Sequence, residues 1–201
     1  MQIISVINQK GGVGKTTTVI NLAAGLTQQR KKILVLDLDP QGNATTGLGI
    51  SNMGNSDETI YGVLNGTSSI LEVIRKTKFK NLDIVTSNVD LSGLEVETAG
   101  DSNRSFILKE KLTACLNDSR ASYDYVLIDC PPSLSLLTVM SLVTSNSLLV
   151  PLQAEFFALE GLTQLIKTID RIKVNLNPDL KIRGILLTMY DKRNKLSSQV
   201  E

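Results

Sequence analysis

Lys10-Gly11-Gly12-Val13-Gly14-Lys15-Thr16-Thr17 is the stretch from which the rest of this chain is best read. The β-branched run just before it, "IISVI", has the character of a strand, and the apolar spacing from Lys15 to Gln29 that follows has the character of a helix. Three glycines at such a junction let the backbone turn tightly and aim successive N–H groups at an anion, on the positive end of the helix dipole. In a loop of this kind Lys15 reaches the β- and γ-phosphates of a nucleotide, and the Thr16 hydroxyl ligates Mg²⁺. The general phosphate-loop pattern starts with Gly where this chain has Gln9, and it does not ask for the lysine at position 10.

Outward from the loop, short apolar runs alternate with longer helical stretches, the signature of an α/β fold with a mostly parallel sheet and helices on both faces. Strands are expected at 2–8, 32–37, 81–86, 123–129, 147–151 and 181–189. Helices are expected at 15–29, 104–118, 134–145 and 158–176, with a short one at 58–64. The polar connection 91–103 is expected to be mobile. No repeat or low-complexity block interrupts the 201 residues, which read as one domain. A further helix begins at Asn194 and is cut short at Glu201, so the chain is expected to lack a C-terminal segment and to be less soluble for it.

Composition narrows the chemistry. The chain holds no histidine, which removes Ser-His-Asp catalysis and His-ligated zinc. Its two cysteines, Cys115 and Cys130, are too far apart for a C-x-x-C motif and too few for a disulfide framework, so both are expected reduced, in a cytoplasmic protein. No apolar run is long enough to span a membrane. With 21 basic and 20 acidic side chains the net charge is +1, so any nucleic-acid contact has to be a local patch.

Two further segments end strands with carboxylates. In "ILVLDLDPQGN", Asp37 and Asp39 are spaced i, i+2 at the C-terminal edge of a strand, where α/β sheets place ligands. Asp39, in the loop, is the better placed to contact an attacking water; Asp37 suits either chemistry or a turn. In "YDYVLIDCPPSLS" the strand ends at Asp129, placed to hold Mg²⁺ through water, with Pro131 and Pro132 stiffening the exit. Cys130 is read as packing.

"KGGVGKTT" resembles the deviant Walker A motif of the ParA/MinD family of P-loop ATPases, and "DLDPQGN", "LLVPLQAEFFALEGL" and "GILLTMYDKRNKLSSQV" resemble its ParA/Soj branch. The resemblance covers essentially the whole chain. It implies a P-loop ATPase that binds ATP with Mg²⁺ and forms an ATP-dependent sandwich homodimer. Within it, Lys10 would reach the partner's phosphates, Gly12 would lie where the subunits meet, and Asp39 would serve hydrolysis. Met189 would line the adenine pocket, with a plain core methionine as the alternative. Phe156 and Phe157 are read as core packing.

The branch also implies DNA binding without sequence preference, a ParB-like regulator that stimulates slow hydrolysis, and a nucleoid location. Charge is distributed accordingly: residues 1–162 hold 13 basic and 16 acidic side chains (13 − 16 = −3), and 163–201 hold 8 and 4 (8 − 4 = +4). Lys192, Arg193 and Lys195 cluster beyond the last strand, Arg193 matching a DNA-contacting arginine of the branch. Lys167, Arg171 and Lys173 lie on the preceding helix. A second run, Arg75, Lys76, Lys78 and Lys80, is read as solvated. A MinD-like membrane-associated switch is the alternative, and "DLDPQGN" argues against it. A metal-cluster scaffold would want more cysteines.

Overall fold

The computed structural model describes residues 1–51, 55–155, 158–191 and 193. Phe156, Phe157, Lys192, Lys195 and the helix expected from Asn194 lie outside the described residues.

Alternating side chains divide the apolar strands between two faces. In β2 (Ile33–Asp37), Ile33 and Val35 face one core while Leu34 and Leu36 face the other. Val19 and Ala23 of α1 (Lys15–Gln28) close the first face over β1 (Gln2–Val6). The helix α2 (Asn43–Gly47) adds Ala44 to the same core. The second face is covered by α3 (Ile60–Asn65), α4 (Ile70–Val73), α6 (Ile107–Leu116) and α7 (Leu136–Thr144). Each fully buried Leu, Ile or Val on these faces stabilises the fold by roughly 1.5–3 kcal/mol relative to exposure, so the two-sided burial fixes strand register.

Among the described residues the sheet contains seven strands; with β3 (Ile74–Lys76) at one edge and the other strands numbered in chain order, the spatial order is β3-β4-β2-β5-β1-β6-β7. β4 (Leu82–Val85), β5 (Tyr125–Asp129), β6 (Ser147–Gln153) and β7 (Lys181–Thr188) all run parallel to their neighbours in this order, and only the β3–β4 pair is antiparallel. α8 (Ala158–Asn175) buries Leu165, Ile169 and Ile172 against β6. β1 lies between β5 and β6, so the loop leaving it opens where the strand order reverses and a ligand crevice forms. Register sets Val6 and Asp37 each level with Asp129. Two carboxylates therefore stand side by side at the C-terminal edge, beneath that loop.

Every expected strand is present with ends moved by a few residues. The sequence pattern missed β3 (Ile74–Lys76), whose three residues carry two exposed charges and no alternation to read. It also missed α2 and α4, of five and four residues. The connection 91–103 carries α5 (Leu94–Glu97) after a 3₁₀ turn over Val89–Gly93; Leu91 and Leu94 are buried in the second core, while 95–97 and 99–103 are exposed.

Candidate nucleotide site

The loop after β1 gains its shape from backbone geometry that a side chain would oppose. Gly12 and Gly14 have φ of 77° and 89°, in the left-handed region that costs other residues roughly 1–2 kcal/mol. Gly14 caps α1 without a side-chain acceptor. Thr18 is the first residue of the helix whose amide finds a carbonyl, that of Gly14 at 2.9 Å. The amides of Lys15, Thr16 and Thr17 are thus left for an anion.

Around this turn lies a cavity of about 540 Å³. Gly11, Gly12, Gly14, Lys15, Thr16 and Thr17 line it from the loop, together with Asp39 and Met189. Val13 points into the core, 1% exposed, so only its backbone can serve the cavity. Four further residues line it, Ile20 from α1, Gln41 and Asn43 from the β2–α2 turn within the DLDPQGN segment, and Pro132 from the β5 exit; none of them is singled out by the sequence as a site residue. Thr188 was also missed. Its hydroxyl donates to the Val13 carbonyl at 2.8 Å, tying the end of β7 to the loop. Met189 follows it with a φ of 52° and 63% exposure, at the rim rather than in the core.

Lys15 is 7% exposed and donates to the Lys10 carbonyl at 3.0 Å. Burial lowers its pKa below the ordinary lysine value, while the charges of Asp129 and Asp39 oppose that change. Asp129 is fully buried, and neither of its carboxylate oxygens has a hydrogen-bond partner. Burial first, then the Asp37 charge, pushes it up to about 7; the Thr16 hydroxyl, near but outside hydrogen-bond geometry, favours the charged form. A buried carboxylate with two idle oxygens beside a free hydroxyl suits Mg²⁺.

Asp37 and Asp39 divide their tasks. Asp37 is fully buried and accepts from the Thr45 amide at 2.8 Å, the Thr45 hydroxyl at 2.7 Å and the Asp39 amide at 3.1 Å. Burial raises it to about 6 against those hydrogen bonds. The same Thr45 oxygen accepts from the Ser87 amide at 3.0 Å, so β2, α2 and the end of β4 meet at one hydroxyl. Asp39 faces the cavity, one oxygen accepting from the Gln41 amide at 3.0 Å.

Lys10 does not line this cavity. Its ammonium is paired with Glu155, and both border a separate small recess with Asn8 and Gly161. Arg193 is 90% exposed on its side chain and forks onto Asp191 at 2.8–3.3 Å. Cys115 and Cys130 are buried free thiols. Cys130 donates to the Ser141 hydroxyl at 3.2 Å, and burial pushes its pKa up to about 12, which makes it packing rather than a nucleophile.

Residues 1–182 match the family described as AAA domain. Over 200 residues the chain is 48% identical to the chromosome partitioning protein ParA of Caulobacter vibrioides, covering all of this chain and 74% of that one. It belongs to the ParA/Soj family of P-loop ATPases. The sporulation initiation inhibitor protein Soj of Bacillus subtilis is 45% identical over 199 residues, covering 99% of this chain and 77% of that one. Among solved structures, cobyrinic acid a,c-diamide synthase from Mycobacterium smegmatis with bound ATP analog and magnesium superposes with a TM-score of 0.91 at 37% identity, over 100% of this chain and 80% of that one. A plasmid partition protein from Borrelia burgdorferi gives 0.82 at 28%, over 99% and 82%. The overall fold of the chain therefore coincides with that of these solved structures.

Proposed function

We propose that this chain, acting as one P-loop unit, binds Mg-ATP in the loop cavity, pairs with a second copy around the nucleotide, and binds DNA in that state to move it during partition. The observation that carries the reading is the convergence of the Gly11–Thr17 loop, Lys15, Asp39 and Met189 on one cavity, with Asp129 beneath. The amides of 15–17 and the Lys15 ammonium hold the β/γ-phosphates. Thr16 and Asp129 hold Mg²⁺, which when bound neutralises charge building on the phosphoryl oxygens. Met189 and Ile20 offer the apolar surface for a base.

Asp39 accepts a hydrogen bond from the water that attacks the γ-phosphorus, and the β–γ bridging oxygen leaves with ADP. Lys10, turned from its own cavity, is assigned to the partner's phosphates, so the site is complete only in the dimer and turnover is slow without a regulator of ParB type. The bound magnesium of the Mycobacterium smegmatis structure and the ParA and Soj names of the relatives support these roles. Arg193, with Lys192 and Lys195, is assigned to DNA phosphates, which must first displace Asp191 from its guanidinium. The proposed location is the cytoplasm, on the nucleoid; among the described residues no helix is long and apolar enough to cross a membrane.

A salt titration of ATP-bound protein on two unrelated duplexes tests this. Affinity is expected only with ATP, equal on both duplexes, and falling with a slope of about −0.9 per phosphate neutralised. Arg193→Ala is expected to remove about two contacts per dimer. Strong preference for one duplex, or an unchanged slope in the variant, would overturn the DNA assignment and favour a MinD-like switch.

A further inference from the structure

Of the basic run read from sequence as solvated, Lys76, Lys78 and Lys80 border a groove at the opposite end of the sheet from the loop cavity, while Arg75 pairs with Glu58 outside it. Because the strands other than β3 are parallel, their N-terminal ends share one edge, and here Lys32 before β2, Asn81 before β4 and Tyr123 before β5 meet. Together with the turn that links β3 to β4 they enclose about 490 Å³. This volume is similar to that of the nucleotide cavity and shares no residue with it.

The groove is basic and its cations are of two kinds. Lys76 is neutralised by Asp83 at 2.7 Å, and Arg120 by Asp118 at 2.7 Å. Lys32, Lys78 and Lys80 are exposed and, among the described residues, their ammonium groups form no ion pair, although the Lys32 amide donates to the Asp124 carboxylate at 2.8 Å. The floor is built rigidly: Asp83 is 6% exposed, and the oxygen that takes Lys76 also accepts from the Tyr123 hydroxyl at 2.8 Å. The turn is fixed by the Thr77 hydroxyl, which donates to the Leu82 carbonyl at 2.8 Å and accepts from the Phe79 amide at 3.1 Å. Asn81 completes it at a φ of 66°. This arrangement leaves the Phe79 ring 47% exposed between two unpaired lysines.

An aromatic ring held in water costs apolar exposure, and a rigid turn that holds it between cations offers a stacking face beside phosphate-binding charges. The geometry points to a second nucleic-acid site here, one that takes a single strand: Phe79 stacks on a base while Lys32, Lys78 and Lys80 neutralise its phosphates. A duplex keeps its bases stacked inside and has no face to give Phe79, and an acidic peptide has no ring to place on it. The site lies at the far edge of the sheet from Arg193, so a dimer engaged with DNA at one end presents two further strand-binding grooves at the other.

The test is fluorescence anisotropy of a short labelled oligothymidine with the whole chain and no nucleotide present. Wild type is expected to bind with a salt slope of about −2, from three phosphates at about −0.7 each. The triple reversal Lys32→Glu, Lys78→Glu, Lys80→Glu is expected to lose at least about tenfold in affinity and to flatten the slope while keeping Mg-ATP binding. Phe79→Ala is expected to lose about 5- to 100-fold, the loss of one stacked base, and Arg193→Ala nothing. Equal binding by wild type and the triple variant would overturn the site. So would equal competition by oligoglutamate or by a duplex, or a Phe79→Ala variant that binds like wild type.

Discussion

Replacing Asp129 by Asn should make the nucleotide-free protein more stable while disabling it. The buried carboxyl titrates at about 7 instead of its ordinary 3.8. Each tenfold change in an ionisation equilibrium corresponds to about 1.4 kcal/mol, so ionising this group costs the folded state about 4 kcal/mol at most. Asp37, itself raised to about 6 by burial, supplies part of the charge that Asp129 meets. Between about pH 4 and pH 7 the folded chain holds a proton that the unfolded chain has released. Wild-type stability therefore falls as pH rises through that window and levels off above it.

Asparagine has the same shape and nothing to ionise. At pH 5 the penalty on wild type from this group is about 2 kcal/mol, and at pH 8 about 4. Urea unfolding of Asp129→Asn and wild type, without nucleotide or Mg²⁺, should accordingly show the variant ahead at pH 8, with the gap about 2 kcal/mol smaller at pH 5. Calorimetry on the same variant should show Mg²⁺-dependent nucleotide affinity lost. A gap that does not change with pH, or a variant less stable than wild type at pH 8, would refute the view that this carboxylate is held at a cost for the sake of a cation.

The remaining predictions concern its neighbours. Asp39→Ala should leave ATP binding and the dimer intact and slow hydrolysis by at least about a hundredfold, within the usual range for losing a general base; single-turnover rates equal to wild type would move the role elsewhere. Lys10→Ala gives up only the part-exposed Glu155 pair, worth about 0–1 kcal/mol, so its melt should barely shift while light scattering shows the ATP-dependent dimer gone. A persistent dimer would reject the trans role. Thr45→Val removes a buried hydroxyl from between Asp37 and the Ser87 amide and should destabilise the fold by about 2–4 kcal/mol in urea; a change under about 0.5 kcal/mol would show that this junction contributes little.

What could be read in the sequence was whatever local chemistry dictates. Gly12 and Gly14 announce positive φ, the apolar runs announce strands buried on both faces, and a strand ending in Asp129 announces a carboxylate at a ligand edge. What could not be read was set by register and long-range closure. Thr188 meets Val13 across 175 positions, and Thr45 meets Ser87 across 42. No spacing rule connects such pairs until the sheet order is known. The role of Asp37 had the same origin: the sequence already favoured Asp39 for the water but left Asp37 open between chemistry and a turn, and the placement of Thr45 makes Asp37 the structural partner. β3 escaped because an edge strand of three residues has nothing to alternate. Within 91–103, the burial of Leu91 and Leu94 in the second core was equally hidden, because two leucines among polar residues show no period.

The function proposed for the loop cavity depends on the Gly11–Thr17 loop capturing nucleotide phosphate through Lys15 and the first amides of α1. Isothermal titration of a non-hydrolysable ATP analogue with Mg²⁺ into wild type and Lys15→Ala measures that capture directly. Saturable binding is expected for wild type and an at least about tenfold weaker or undetectable signal for the variant, since a charge-assisted contact of this kind is worth about 1.5–3 kcal/mol. Equal affinity in the two proteins would contradict it.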